Sequence, residues 1–243
     1  MAWQVAHELQ SVGEDVCVIA RDAEARPETR PAVPTHLVSV PTFWQPLRVA
    51  RFSRRAAHVQ SSAAPPFDIV HSFSRTRHQH LYRAGGGSHA DYLRRNYDPM
   101  GRIARQFSPR HRTLLAIERA VFADVDQRIQ CSSKLVADVL VETCGVARQR
   151  IALLPNGVDL KRFGSGSHRE AAAEVRSREA PPSGRGPLWL FPGSGWRRKG
   201  LDRLLQALAH ESARTHRAWI VGRDDPRPWQ RRAQQLGVED RIR

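Results

Sequence analysis

Cysteine, lysine and long apolar runs are scarce in this chain of 243 residues, and each scarcity excludes a class of protein. The three cysteines, Cys17, Cys131 and Cys144, lie far apart, so they form neither a disulfide framework nor the closely spaced pairs of a zinc site. No apolar run approaches the roughly 18 residues needed to span a membrane. The N-terminus has no basic region followed by an apolar core, so we expect no signal peptide and a cytoplasmic protein.

Lysine is limited to Lys134, Lys161 and Lys199, and arginine supplies the rest of the 39 basic residues. With 24 acidic residues, the formal net charge is +15. A coding bias toward arginine would explain this excess, and so would an anionic partner such as a nucleic acid, a membrane surface or a phosphorylated substrate. Nucleic acid is disfavoured, because there is no zinc finger, recognisable helix-turn-helix or interleaving of aromatic and basic residues.

The most informative stretch that is present covers residues 187–208. A short apolar run, residues 187–191, predicts a buried strand, and it is followed by two glycines, three consecutive cations and an amphipathic segment at 201–208. Glycines let a backbone approach a ligand closely, and a helix N-terminus with nearby cations favours a phosphate or diphosphate. The spacing matches neither a Walker loop nor a dinucleotide fingerprint, so a loop with solvated arginines is an open alternative.

Strands and helices alternate along the whole chain, which predicts an α/β fold with mostly parallel sheets. Predicted strands cover residues 15–20, 35–40, 67–73, 128–132, 150–154, 187–191 and 218–221. Predicted helices cover residues 2–10, 47–60, 102–123, 135–144, 170–178, 201–210 and 229–236. Between residues 163 and 187 the chain is rich in Gly, Ser, Glu and Pro, which indicates a domain boundary.

Two motifs in this order resemble the GT-B glycosyltransferases of family 4. Residues 154–163 (LPNGVDLKRF) resemble their interdomain motif, and residues 193–203 (GSGWRRKGLDR) resemble their donor-diphosphate loop. The likeness is greatest to the lipopolysaccharide core glucosyltransferase I group. It implies two doubly wound, Rossmann-like units: an acceptor-side domain at 1–163, a linker at 164–186, and the start of a nucleotide-sugar domain at 187–243.

The resemblance also implies that parts of such an enzyme lie outside this sequence. Family members begin with a strand and a Gly-Gly loop before the first helix, whereas this chain starts within that helix. They also continue past a segment like residues 236–241, into a Glu-x7-Glu motif that contacts the donor sugar. We therefore expect a chain truncated at both ends, without its first strand and most of its second unit, and with little or no activity by itself.

The family pattern implies specific site residues. Gly193, Ser194, Gly195, Arg198 and Lys199 are expected to bind the donor diphosphate, with UDP-glucose as the substrate, no cofactor and no metal ion. Arg197 is expected to face solvent.

On the acceptor side the resemblance implies further residues. Asn156 and Gly157 belong to the interdomain motif. His89, which follows three glycines, is expected to be a catalytic residue of the cleft, with a polar surface role as the alternative.

Two acidic positions are interpreted structurally. Asp124 and Asp126 form an Asp-x-Asp pattern, but they follow a predicted helix, where aspartates commonly stabilise turns. Glu118, within the same predicted helix, is also given a structural role.

The predicted function is transfer of a hexose to a lipopolysaccharide core or similar glycan, with retention of the anomeric configuration. The arginine-rich residues 94–119 predict peripheral attachment to an anionic inner membrane. The alternatives are an inactive truncated transferase and a basic protein that binds anions or nucleic acid.

Overall fold

The computed structural model describes residues 2–22, 33–164, 168–178 and 186–243. It divides into two compact units, residues 1–157 and 158–243. The division falls after Gly157, six residues before the end of the first domain expected from the sequence. Of the expected linker, residues 165–167 and 179–185 lie outside the described residues.

The first unit is built on parallel strands. They are β1 Val18–Ala20, β2 Thr35–Leu37, β3 His71–Ser72, β4 Leu81–Ala84, β5 Arg128–Cys131 and β6 Ile151–Leu153. β1 pairs with β2, and the other four form one sheet in the order β3-β4-β5-β6. Every pairing is parallel. The helices between the strands are therefore crossover connections, as parallel strands require.

The helices of the first unit confirm most of the predicted periodicity. They are α1 Ala2–Ser11, α2 Gln45–Ser61, α3 His89–Asn96, α4 Pro99–Gln106, α5 Pro109–Ala123 and α6 Lys134–Cys144. The long helical region predicted at residues 102–123 is helical but divided in two, because α4 ends at Gln106 and α5 begins at Pro109. Proline disfavours helical geometry in the residue before it and suits the first helical position, so it separates the two helices.

The core of the first unit lies where β4 and β5 pack against α5 and α6. Its fully buried members include Ile129, Cys131 and Leu140. β4 was absent from the predicted strands, since its sequence, Leu-Tyr-Arg-Ala, has an arginine where a buried run would be apolar. Tyr82 and Ala84 nevertheless point into the core.

The second unit has a smaller parallel pair of strands. Its elements are α7 Leu160–Phe163, α8 Arg169–Arg178, β7 Leu188–Pro192, α9 Trp196–Lys199, α10 Leu201–Ala209, β8 Arg217–Val221 and α11 Arg227–Gln235. β7 pairs with β8 along five residues. The predicted amphipathic helix is confirmed, because Leu201, Leu205 and Leu208 are fully buried in the core of this unit. The parallel α/β architecture predicted from the sequence is thus confirmed.

No helix within the described part of the chain is both long enough and apolar enough to cross a membrane.

Candidate functional site

The candidate diphosphate loop follows β7 directly. Gly193 and Gly195 have φ angles of 101° and 81°, values that favour glycine because other residues would be strained there. The single-turn helix α9 then carries Arg197, Arg198 and Lys199. The predicted order of strand, glycine loop, cations and helix is therefore present, with the cations on a short helix of their own, ahead of α10.

The loop is fastened to the segment that follows the neighbouring strand, β8. The Gly193 N–H donates to the Val221 carbonyl at 2.7 Å, and the Arg223 N–H donates to the Ser194 hydroxyl at 3.0 Å. The Asp224 carboxylate accepts from the N–H groups of Gly195, at 2.8 and 3.1 Å, and of Trp196, at 2.7 Å. These contacts tie the two loops into one unit.

Two glycines permit this close packing. A Cβ atom on Gly222 would lie 2.4 Å from the Trp196 indole nitrogen and 2.7 Å from the Gly193 carbonyl oxygen. A Cβ atom on Gly193 would lie 2.2 Å from the Lys199 ammonium nitrogen. At Gly222 the clash is with a backbone oxygen and a packed ring, so a side chain would force the loop to move. At Gly193 the lysine side chain could move aside, and it is the φ angle of 101° that favours glycine.

The three cations of α9 are exposed to solvent. The Lys199 ammonium donates to the Pro192 carbonyl at 3.1 Å, and the Arg198 guanidinium lies over Gly195. Among the residues that the structure describes, none of the three cations has a carboxylate partner at ion-pair distance. Arg198 and Lys199 therefore leave positive charge beside the glycine loop, where an anionic ligand can approach the backbone. The solvent-facing position predicted for Arg197 is confirmed.

His89 lies in the first unit, at the carboxyl end of β4. It is the first residue of α3, it is buried, and its Nε2 lies 2.9 Å from Nδ1 of His111. Burial and the nearby positive charge of Arg75 lower the pKa of His89 to about 4, so its ring is neutral at neutral pH. Its predicted catalytic role stays a prediction, and a polar surface role is inconsistent with this burial.

Glu118 holds the segment that contains His89. Its buried carboxylate accepts from the Ser88 hydroxyl at 2.8 Å, from the N–H of Ala90 at 3.0 Å and from the N–H of His89. Arg75 contributes an ion pair at 3.5 Å. These contacts fix the N-terminus of α3, which agrees with the structural role assigned to Glu118 from the sequence.

Asn156 of the predicted interdomain motif follows β6 at the same sheet edge. Its side-chain oxygen accepts from the guanidinium of Arg83, the third residue of β4. Arg83 also lies 5.7 Å from the centre of the Phe73 ring. Arg83 thus links β4 to Phe73, after β3, and to Asn156, after β6. Gly157 is exposed and has open space where a side chain would be.

The Asp-x-Asp segment forms a turn, as predicted. The Asp124 carboxylate accepts from the Asp126 N–H at 3.1 Å and from the Gln127 amide at 2.8 Å. Within the described ranges, no three His, Cys, Asp or Glu side chains are grouped so as to hold a metal ion.

The structure therefore places the predicted site residues in two groups. Gly193, Ser194 and Gly195 form one loop of the second unit, and Arg198 and Lys199 lie on the adjoining helix α9. His89 and Asn156 lie at the carboxyl edge of the sheet in the first unit. Asp224 was not among the predicted site residues, although a carboxylate three residues beyond a predicted strand, at the same sheet edge as the glycine loop, was an available signal.

Comparison with known proteins gives a family match and a fold match. A model of glycosyltransferase family 4 matches residues 1–162. No curated protein matches the chain in sequence. Among solved structures, the chain is similar to WaaG, a glycosyltransferase involved in lipopolysaccharide biosynthesis, with a TM-score of 0.78 and 23% identity over 100% of this chain and 64% of that one.

A second solved structure, a glycosyltransferase from Rickettsia africae ESF-5, has a TM-score of 0.62 and 15% identity over 99% of this chain and 62% of its own. The chain therefore spans less than two thirds of the length of either structure. At these identities, the likeness establishes the GT-B type of fold.

Proposed function

The chain belongs to glycosyltransferase family 4, and on that premise we propose that the full-length protein transfers a hexose from a nucleotide diphosphate sugar to a glycan. The donor we propose is UDP-glucose, and the acceptor is a lipopolysaccharide core or a similar glycan. The similarity of the fold to WaaG supports this acceptor class.

The observation that carries the proposal is the glycine loop with the unpaired cations Arg198 and Lys199. When the bond between the sugar and the nucleotide breaks, negative charge develops on the departing diphosphate. A cation held in place before the reaction stabilises that charge without reorganising, and one such group lowers a barrier by about 3 kcal/mol. Arg198 and Lys199 would supply this charge, so the reaction we propose uses no metal ion. Retention of the anomeric configuration is proposed from the family resemblance alone.

The acceptor is expected to bind at the carboxyl edge of the sheet in the first unit, where open α/β sheets bind ligands. His89, Arg83 and Asn156 lie at this edge. Because the lowered pKa keeps the His89 ring neutral at neutral pH, one ring nitrogen can accept a hydrogen bond from an acceptor hydroxyl. Its Nε2 would first have to exchange the contact with His111 for one with the substrate.

Turnover of defined donors tests the proposal. Purified full-length protein is incubated with UDP-glucose, or another common nucleotide sugar, and with a heptosylated lipid acceptor, and UDP release is followed. We expect acceptor-dependent release that the Arg198→Ala/Lys199→Ala double variant loses and that Arg176→Ala, which removes an exposed arginine from α8, retains. Absence of release with every common donor would leave the alternative of an anion-binding protein without turnover.

We further propose that the protein attaches peripherally to the cytoplasmic face of the inner membrane through α4. No residue of α4 is buried, and the side chains of Met100, Ile103 and Phe107 are exposed by 74%, 52% and 76%. Arg102 and Arg105 lie on the same segment. Exposed apolar side chains beside arginines are the features with which amphipathic helices bind anionic lipid surfaces.

Vesicle binding tests this attachment. Near an anionic surface each arginine contributes about 1 kcal/mol, so Arg102→Gln/Arg105→Gln should weaken binding to anionic vesicles about thirtyfold at low salt. Phe107→Ser should weaken binding at every salt concentration, because apolar insertion is not screened. Arg51→Gln/Arg54→Gln, which removes two exposed arginines of α2, is the matched control. Equal binding of the wild type to neutral and anionic vesicles would contradict the electrostatic part.

A further inference from the structure

The backbone groups that make a glycine loop attractive to phosphate already have a partner in this protein. The N–H groups of Gly195 and Trp196 both point at the carboxylate of Asp224, at distances between 2.7 and 3.1 Å. A diphosphate could use these two donors only by displacing a carboxylate that belongs to the chain. The charged side chains of Arg198 and Lys199 have no such competitor among the described residues.

Asp224 belongs to a continuous set of contacts between the two loops. Next to it, the Arg223 N–H is held by the Ser194 hydroxyl, and Gly222 has no side chain where Trp196 packs. The two N–H groups, and to a lesser degree Lys199, lower the pKa of Asp224. The carboxylate is therefore ionised at neutral pH, and hydrogen bonds to an ionised acceptor are stronger than neutral ones.

We propose that Asp224 is a positioning residue for donor binding, which holds the loop in the conformation that presents Arg198 and Lys199 to the diphosphate. The diphosphate is then bound by the two side-chain cations, and the glycines make room for those side chains and for the ligand. This inference rests on the proposed function, because it assigns Asp224 a role at the proposed donor site.

The adjacent residue, Asp225, provides a matched comparison. Its carboxylate pairs with Arg227 at 3.0 Å. Among the described residues, it makes no contact with residues 193–199. Replacing Asp224 or Asp225 with alanine removes the same charge from the same short segment. Only the change at Asp224 releases the N–H groups of the loop.

The first experiment measures UDP affinity by calorimetry and the donor KM and kcat of the full-length protein. We expect Asp224→Ala to raise the UDP Kd and the donor KM about tenfold, with a smaller change in kcat, and Asp225→Ala to change each less than twofold. Asp224→Asn should restore part of the affinity, because its amide oxygen can still accept a hydrogen bond. A variant that lowers only the folded fraction and kcat, with an unchanged UDP Kd, would overturn the proposal.

The second experiment needs no nucleotide. Hydrogen exchange of the peptide covering residues 193–200 should be about tenfold faster in Asp224→Ala and unchanged in Asp225→Ala. If the wild type binds no UDP but exchange responds in this way, the donor-site function fails while Asp224 is confirmed as the residue that orders the loop. Unchanged exchange in Asp224→Ala would overturn the positioning role, whatever the protein binds.

Discussion

Both units hold the start of a helix with a carboxylate from a distant part of the chain, but the two carboxylates have different surroundings. In the first unit, Glu118 on α5 accepts from the N–H groups of His89 and Ala90, at the start of α3. In the second, Asp224 accepts from Gly195 and Trp196, at the start of α9. Each helix follows a glycine loop at the carboxyl end of a strand. In both places, a carboxylate of the chain accepts from backbone N–H groups that could otherwise bind an anionic ligand.

The difference lies in burial and in the neighbouring charges. Glu118 is 5% exposed and is joined by Arg75 and the Ser88 hydroxyl, so its contacts are internal to the unit. Asp224 is partly exposed and lies beside cations that are not used in ion pairs. A buried carboxylate of the first kind stabilises the fold, whereas one of the second kind leaves positive charge available to a ligand. We therefore expect losses of stability in the first unit and losses of affinity in the second.

Removal of the Glu118 side chain should give the largest loss of stability. Glu118→Ala leaves the Ser88 hydroxyl, two N–H groups and Arg75 without their buried partner. Losing these contacts should lower the free energy of unfolding by about 3 kcal/mol. Chemical denaturation measures this loss. Glu142→Ala, at an exposed position on α6, should change stability by less than about 0.5 kcal/mol. Equal effects in the two variants would show that Glu118 has no special structural role.

Gly222→Ala, in the second unit, should lower stability by an intermediate amount and should also lower UDP affinity, which Glu118→Ala is not expected to do. The new Cβ atom would overlap the Trp196 ring and the Gly193 carbonyl, so the glycine loop must move. Overpacking of this kind costs about 1–3 kcal/mol, and we expect UDP affinity to fall together with stability. Gly86→Ala, where a Cβ atom meets nothing within 4 Å, is the control. Unchanged UDP affinity in Gly222→Ala would separate the donor site from this loop.

The expected effect that is absent at neutral pH and develops only on acidification is a dependence of stability on pH in the first unit. In the folded protein His89 stays neutral down to about pH 4, whereas an unfolded histidine takes up its proton near pH 6.5. The unfolded state therefore binds more protons between these values, so stability is complete above about pH 6.5 and falls as the pH drops toward 4.

Denaturation curves between pH 7 and 4 test this dependence. His89→Gln should reduce the slope of stability against pH by up to about one proton, with part of the slope left to His71 and His111, whose pKa values burial also lowers. His36→Gln, which replaces a histidine at an exposed position, is the control variant. An identical slope in His89→Gln and the wild type would place the titrating group elsewhere.

Local patterns predicted much of the fold, and contacts between distant residues account for what they missed. The apolar run at 128–132 and the amphipathic segment beginning at Leu201 were sufficient because burial of their side chains decides their structure. The run at 187–191 does form β7, but the strand is only partly buried, and Leu190 is 61% exposed. β4 was missed because it has only two core-facing residues, Tyr82 and Ala84, on either side of an arginine. Pro109 was a local signal for the break between α4 and α5. The break was not predicted because apolar residues on both sides of Pro109 suggested continuous helix.

In the candidate site too, local sequence patterns were predicted and contacts between distant residues were not. The glycines and cations of residues 193–199 were identified because they are consecutive. Asp224 was not, since it lies 28 and 29 residues from its partners in the sequence. The burial of His89 was also not predicted, because it depends on His111 and Glu118 of a different helix. Contacts of this kind become visible only when the strands and helices are assembled.

Titration with UDP and with uridine tests the central claim most directly. Full-length wild type, Arg198→Ala, Lys199→Ala and the control Arg176→Ala are compared by calorimetry. Each loop variant loses a charge-assisted contact of about 1.5–3 kcal/mol, so UDP affinity should fall roughly tenfold or more while uridine affinity stays the same. Unchanged UDP affinity in both loop variants would contradict the account and return these two cations to the role of solvated surface residues.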